Sequence, residues 1–305
     1  MKDSLLSALC SQLNDMNIFL ALLTYFAYIF IIVMYSIKIV KYLRLPVHLR
    51  WDLYPVIHEE RYKYGGSYFE DIEWWTKARQ KRFLRGLIYL LKEYLYLGEY
   101  FKRHKSYWLV LYPWHIGFIL IIIFHILCFL GAIAEVIGVN IFYYLTIVIG
   151  VVSFTTGVFG SIGLIIKRLT DKDLKTYASP LTYFNYIFTL AVFLSGLYAW
   201  YFVDPTFSEY REFWKGLITF HFTGIEPAGE VHIIIFALFL IYLPYTRSMH
   251  YISRLFAFFL IRWDDEPNTK GSELEKSLQK QLKWKVTWSA PHIKSGKTWG
   301  ENAKK

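Results

Sequence analysis

Two histidines stand inside a run apolar enough to cross a membrane, and they restrict what this chain can become. Residues 114–128 read WHIGFILIIIFHILC, with His115 and His125 ten positions apart. A second run, 231–251, carries His232 and His250 eighteen apart. An ionisable side chain in hydrocarbon is costly and rare, so four of them on two segments mark a functional site by default. Neutral imidazole is an axial ligand of haem iron, and two opposed pairs hold two irons.

Helix geometry permits this pairing. At about 1.5 Å per residue, ten residues rise roughly 15 Å and eighteen roughly 27 Å, both within a hydrocarbon core of about 30 Å. Eighteen residues make about five turns and set His232 and His250 on one face of a straight helix. Ten leave about 80° between His115 and His125, an offset that a tilted helix or two rotated haem planes absorb. In antiparallel segments His115 faces His250 near one surface, and His125 faces His232 near the other. Each pair is a bis-histidine, b-type ligand set.

Composition narrows the class. The 305 residues are 55% hydrophobic and 20% aromatic, as in a polytopic membrane protein with interfacial Trp and Tyr, and this excludes a soluble enzyme. Cys10 and Cys128 are too few and too scattered for an iron–sulfur cluster, a zinc site or a disulfide framework. No C-x-x-C-H occurs, so a haem here has no c-type covalent attachment.

The expected architecture is an all-α polytopic membrane protein, with five transmembrane helices bundled around two b haems, a large cytoplasmic loop and a cytoplasmic tail. Residues 1–43 hold an N-terminal segment and the first span, from 17 to 43; residues 1–16 lack the layout of a signal peptide and stay attached. Residues 44–106 form the charged loop, helical from 77 to 103 with basic and apolar residues interleaved, which suits an anionic membrane surface. Residues 107–261 hold four spans, near 107–134, 140–166, 181–202 and 231–260, with Pro244 as a bend in the last. Gly150, Gly157, Gly160 and Gly163 give the third span a small-residue stripe for close packing. Residues 262–305 are a basic tail, expected to order only on a partner.

Charge sets the orientation. Fifteen Lys and Arg lie between Lys38 and Lys105, four between Lys167 and Lys175, and ten from Arg262 onward. The alternate segments carry one, none and two. The positive-inside rule then places the N-terminus outside and the tail in the cytoplasm of a multi-pass cell-membrane protein. The net charge of +10 follows from topology, and nucleic-acid binding is an unnecessary inference.

The four histidines, at spacings of ten and eighteen on the second and fifth of five spans, resemble those of the gamma subunit of respiratory nitrate reductase, a dihaem cytochrome b. The loop sequence LRWDLYPVIHE…GGSYFEDIEWW more closely resembles the b subunit of the sulfite-reduction-associated (Dsr) and Hme menaquinol-oxidising complexes of sulfate reducers. The resemblance covers about residues 17–262. It implies His115 and His250 on a cytoplasm-proximal haem, His125 and His232 on a distal one, and a menaquinol site beside the distal haem. It also implies a cytoplasmic iron–sulfur partner related to heterodisulfide reductase, with further membrane and extracytoplasmic subunits, including a c-type cytochrome, in an anaerobic respiratory complex. Where the nitrate reductase family carries a quinol-binding lysine beyond the distal haem helix, this chain reads GAIAEVIGVN, with Glu135. Glu135, His221 and Glu226 are the outer-side candidates for the quinol's proton acceptor. Arg247 and Arg211 are the candidates for pairing haem propionates.

Two other classes compete. A proton or solute transporter would use the buried histidines without metal, but the spans lack deep Asp, Glu, Lys or Arg and any evident inverted repeat. A non-redox membrane anchor would leave the histidines merely hydrogen-bonded between helices.

Overall fold

The computed structural model describes residues 2–44, 70–77, 83–139, 142–246, 250, 252–253, 255 and 269–304, with the backbone alone at 2–15 and 83. The helices are α1 (Lys2–Leu43), α2 (Phe83–Leu95), α3 (Gly98–Arg103), α4 (Lys105–Val136), α5 (Tyr143–Thr170), α6 (Lys172–Thr176), α7 (Pro180–Phe202), α8 (Ser208–Thr219), α9 (Pro227–Tyr242), α10 (Glu273–Leu282) and α11 (Trp299–Ala303). Among the described residues there is no strand, and the β-structure consists of two isolated bridges. Five segments are long and apolar enough to cross a membrane: α1 from Met16, then α4, α5, α7 and Pro227–Tyr245. The protein is an all-α polytopic membrane protein. Its residues divide into two compact units, 1–34 with 92–248 and 35–91 with 249–305.

In the first unit α5 packs on α4 and α7, and α9 packs on α7. Lipid tails are as apolar as leucine, so close fit holds such helices together. The glycine stripe supplies it. A methyl group on Gly117 would sit 2.7 Å from the amide of Gly157, one on Gly163 would sit 2.6 Å from Val110, and one on Gly160 would overlap the Trp114 backbone. The Ser153 hydroxyl donates across the seam to Gly117 O at 2.9 Å. On the other side of α5, Gly196 of α7 leaves room for the Phe154 ring. The stripe is thus a packing device, as its spacing implied.

Local signals explain the helix starts. Ser179 and Thr182 form a capping box ahead of Pro180 in the first turn of α7. The Asp204 carboxylate accepts from the amides of Ser208 and Glu209, each at 2.8 Å, and seeds α8. Tyr210, Phe213, Trp214 and Leu217 bury one face of that helix. Tyr25 of α1 donates to Leu217 O, and the Tyr28 ring meets Trp214 edge-on at 5.2 Å. The segment between the fourth and fifth spans is therefore a helix packed on α4, where the sequence suggested a loop with a short apolar piece.

Two further expectations change. The first helix starts at Lys2, so the polar N-terminal segment continues the span. The expected helix over 77–103 is α2 and α3 where described, broken at Leu97, whose φ of 54° is left-handed. The fifth span is interrupted at Pro244, where a bend was expected. Pro244 has no N–H to donate, the chain tightens to a 3₁₀ turn over Leu243–Tyr245, and Thr246 is extended, with ψ of 169°. His250 therefore lies beyond the helix that carries His232. Residues 45–69 and 256–268, which hold most of the loop sequence behind the family resemblance and the expected end of the fifth span, are outside the described residues.

In the second unit, residues 269–304 form a small structured segment held by their own side chains. Ser272 caps α10, and Thr298 with Glu301 forms a capping box on α11. Asn302 is the buried pin: its Oδ1 accepts from Lys294 N at 2.9 Å, and its Nδ2 donates to the carbonyls of Lys294 and Thr298. Val286 and Ile293 are buried beside it.

Candidate functional site

His125 of α4 and His232 of α9 meet within the first unit, both only 4% exposed. Their ring centroids lie 6.4 Å apart and their planes differ by 26°. The Nδ1 of His125 is 2.7 Å from Ile121 O, a pure acceptor, so Nδ1 carries the proton. The Nδ1 of His232 is 2.9 Å from Ser195 Oγ, whose own proton goes to Val192 O at 3.0 Å, so the hydroxyl accepts from Nδ1–H. Assigned from these bonds, both rings are Nδ1–H tautomers with the Nε2 lone pair left over. Both Nε2 atoms are buried without a hydrogen-bond partner.

Two orphaned acceptors in one apolar site cost on the order of 1–3 kcal/mol each, unless a ligand completes them. Two Nε2 atoms turned toward one metal, with bonds of about 2 Å and about 1.1 Å from each nitrogen to its ring centre, would set the ring centres roughly 6.2 Å apart, close to the 6.4 Å between these rings. Among the described residues no group of three or more His, Cys, Asp or Glu side chains gathers to hold a bare ion. Two imidazoles suffice when a porphyrin supplies the equatorial nitrogens. The residues present fit a b haem.

The shell is aromatic. Phe236, one turn beyond His232, stacks on the His125 ring at 3.8 Å. Phe154 meets His232 edge-on at 5.5 Å, and Tyr210 turns an edge to both histidines, at 5.9 and 6.1 Å. Burial pushes the Tyr210 phenol well above its usual range, so it stays neutral. Phe124, Phe154, Gly196, Phe207 and Tyr210 line a small, partly open pocket beside His232. A methyl group on Gly150 would lie 2.8 Å from the Phe124 and Phe207 rings.

Glu135 and Arg211, named separately in the sequence as a quinol-site and a propionate candidate, are partners here. Arg211 Nε is 3.3 Å from Glu135 Oε1, its Nη1 donates to Thr206 O at 2.8 Å, and its guanidinium lies 4.3 Å from the Tyr143 ring centre. Arg211 is buried. His221 is exposed, with Nδ1 2.9 Å from Thr219 O. Glu226 is exposed at the start of α9, and its amide donates to Glu209 Oε2 at 3.1 Å. Of the three proton-acceptor candidates, Glu135 alone is joined to a buried cation.

The other histidine pair is divided between the units. His115 is half-buried on α4 in the first; His250 is exposed in the second, and its carbonyl accepts from Ser253 Oγ at 3.2 Å. Arg247 lies outside the described residues. Ser195, Phe236 and Tyr210 were missed by sequence reasoning. Ser195 had a signal, a hydroxyl within the apolar run FLSGLYAW; Phe236 had another, its place one turn after a singled-out histidine.

No curated protein and no solved structure matches the chain. A family model, that of the nitrate reductase gamma subunit, matches residues 100–264, more than half of the sequence and all four histidines. The chain belongs to the nitrate reductase gamma subunit family, as a membrane cytochrome b subunit of a redox complex.

Proposed function

We propose that the chain carries electrons from menaquinol, oxidised on the outer side of the membrane, to a cytoplasmic iron–sulfur partner related to heterodisulfide reductase. Two b haems form the route, one on His125 and His232, the other on His115 and His250. The observation that carries the reading is the pair of buried histidines, with ring centres 6.4 Å apart and both Nε2 atoms without a hydrogen-bond partner. A b haem held there supplies a one-electron carrier, whose potential follows axial ligation, hydrogen bonding and burial.

The chain's own residues do the rest. Ile121 O and Ser195 Oγ orient the two rings and raise the basicity of Nε2. Phe124, Phe154, Phe236 and Tyr210 surround the rings with apolar surface and keep water from them. Glu135, His221 and Glu226 are the groups proposed to accept quinol protons, and Arg211 and Arg247 those proposed to meet propionates. The asymmetry of Lys and Arg between alternate segments supports the assignment of sides. The Dsr- and Hme-type complex, with further membrane subunits and an extracytoplasmic c-type cytochrome, is proposed on the loop sequence resemblance.

The test is a visible spectrum of the purified chain, oxidised and then reduced with a menaquinol analogue, with haem quantified as the pyridine haemochrome. The expected result is two b haems per chain, both reduced by the quinol. A folded, haem-supplied preparation without haem absorbance contradicts the conduit. Haem that dithionite reduces and quinol does not contradicts the quinol assignment alone.

A further inference from the structure

At the bundle end opposite α8, the first turn of α4, the last turn of α5 and the first turns of α7 bring together hydrogen-bond donors with no anion among them. Arg168 lies at the centre. Its Nη1 donates to Leu174 O at 3.3 Å, and its carbonyl accepts from the Tyr183 hydroxyl at 3.1 Å. Its guanidinium faces the hydroxyls of Tyr107 and Tyr186 and lies 6.0 Å from the Tyr186 ring centre. The Nε–H of Arg168 is buried and has no partner. The indole N–H of Trp114, whose ring meets Tyr186 edge-on at 5.9 Å, is buried and unpartnered as well. Among the described residues no carboxylate pairs with the half-buried Arg168, whereas the buried Arg211 has Glu135.

A guanidinium at the edge of a membrane span, with one N–H sealed from water and phenols for neighbours, is short of one acceptor, which an anionic oxygen fits best. Tyr107 and Tyr186 also hydrogen-bond to each other, so of the two hydroxyls that face the guanidinium one keeps its proton to donate. Three helices thus converge a fork of N–H and one free phenolic O–H, and the adjoining α6 carries Lys172 and Lys175 beside Asp173 and its capping Asp171. We propose that Arg168, Tyr107 and Tyr186 bind one anionic oxygen group, a phosphate or a carboxylate. Two sources present that chemistry here: the headgroup of an anionic phospholipid, and the propionate of a haem on His115, which follows Trp114 directly. The propionate source rests on the two-haem reading; the lipid source does not.

The test uses the full-length chain as purified, with Arg168→Gln, Arg168→Lys and the isosteric pair Tyr107→Phe with Tyr186→Phe. Retention of phosphatidylglycerol is measured by native mass spectrometry, and haem potentials by redox titration. Retention about tenfold weaker in Arg168→Gln, with unchanged potentials, assigns a lipid phosphate. A downward shift in one haem's potential, with unchanged lipid, assigns a propionate. Arg168→Lys, which keeps charge and loses the fork, is expected to recover part of either effect, and the Phe pair to lose part. Wild-type lipid retention and wild-type potentials in Arg168→Gln overturn the proposal; should that variant not fold, the same result in both other variants does so. A preparation that lacks haem yet shows the lipid effect sinks the two-haem reading and leaves this site standing.

Discussion

The two histidine pairs differ in how far the chain has prepared them. His125 and His232 sit on two unbroken helices, with Nδ1 hydrogens fixed on Ile121 O and Ser195 Oγ and both Nε2 atoms bare. His115 is half-buried, and His250 follows an extended Thr246 rather than continuing α9. A histidine held by ring packing and a second-shell bond is ready for a metal before the metal arrives. A histidine beyond a helix break has more freedom to lose on ligation. The contrast implies that the His125–His232 site is the more preformed of the two proposed sites.

The sharpest way to break that contrast is to remove ligands in pairs. His125→Ala and His232→Ala are each expected to lose one of two haems, and the double variant to lose no more than either, a fully non-additive result in haem content. His115→Ala and His250→Ala should remove the other haem. If every single variant loses both, the sites are not separable and the comparison fails. The next effect is one of packing. Gly196→Val forces the Phe154 ring from its place against His232, at about 1–3 kcal/mol of strain, and thermal unfolding monitored at the haem band should show the distal haem released first.

Ser195→Ala is gentler. It leaves His232 in place and takes away its orienting acceptor, which typically weakens binding about 10- to 100-fold. The expected signature is a shift in one haem's midpoint potential, with Ser195→Thr restoring it. An unchanged potential reduces Ser195 to packing. The smallest effect lies in the second unit. Hydrogen bonds from the Thr298 amide and hydroxyl hold the Glu301 carboxyl below its usual range. A depressed carboxyl contributes stability that is present above its unfolded value and lost as pH falls through the folded one. Hydrogen exchange over residues 285–303 should therefore quicken on acidification in the wild type and change less in Glu301→Gln, with haem content unaffected.

Where signals were local and periodic, the sequence could be read. Five apolar runs named five spans because a bilayer requires about 20 apolar residues from each, and glycines at 150, 157, 160 and 163 marked α5 as closely packed, three of them toward α4 and Gly157 toward Phe193 of α7. His125 and His232 were identified as partners from spacing alone. Tertiary effects were harder. Pro244 suggested a bend, yet nothing local says that Thr246 will turn extended and leave α9 short. The buried face of α8 is interrupted by Glu209, Glu212 and Lys215, so it read as loop until its packing on α4 was visible. Glu135 and Arg211 are distant in sequence, and only the fold makes them a pair. The tail looked merely basic because its core is small, essentially Val286, Ile293 and the polar pin Asn302.

The central claim is that one iron sits between the Nε2 atoms of His125 and His232. Low-temperature electron paramagnetic resonance of the oxidised chain tests it most directly, since a ferric ion with two imidazoles is low-spin. The account predicts two low-spin signals in the wild type, and the same one of the two lost or turned high-spin in both His125→Ala and His232→Ala. Loss of different signals in those two variants, or survival of both signals in either, contradicts it.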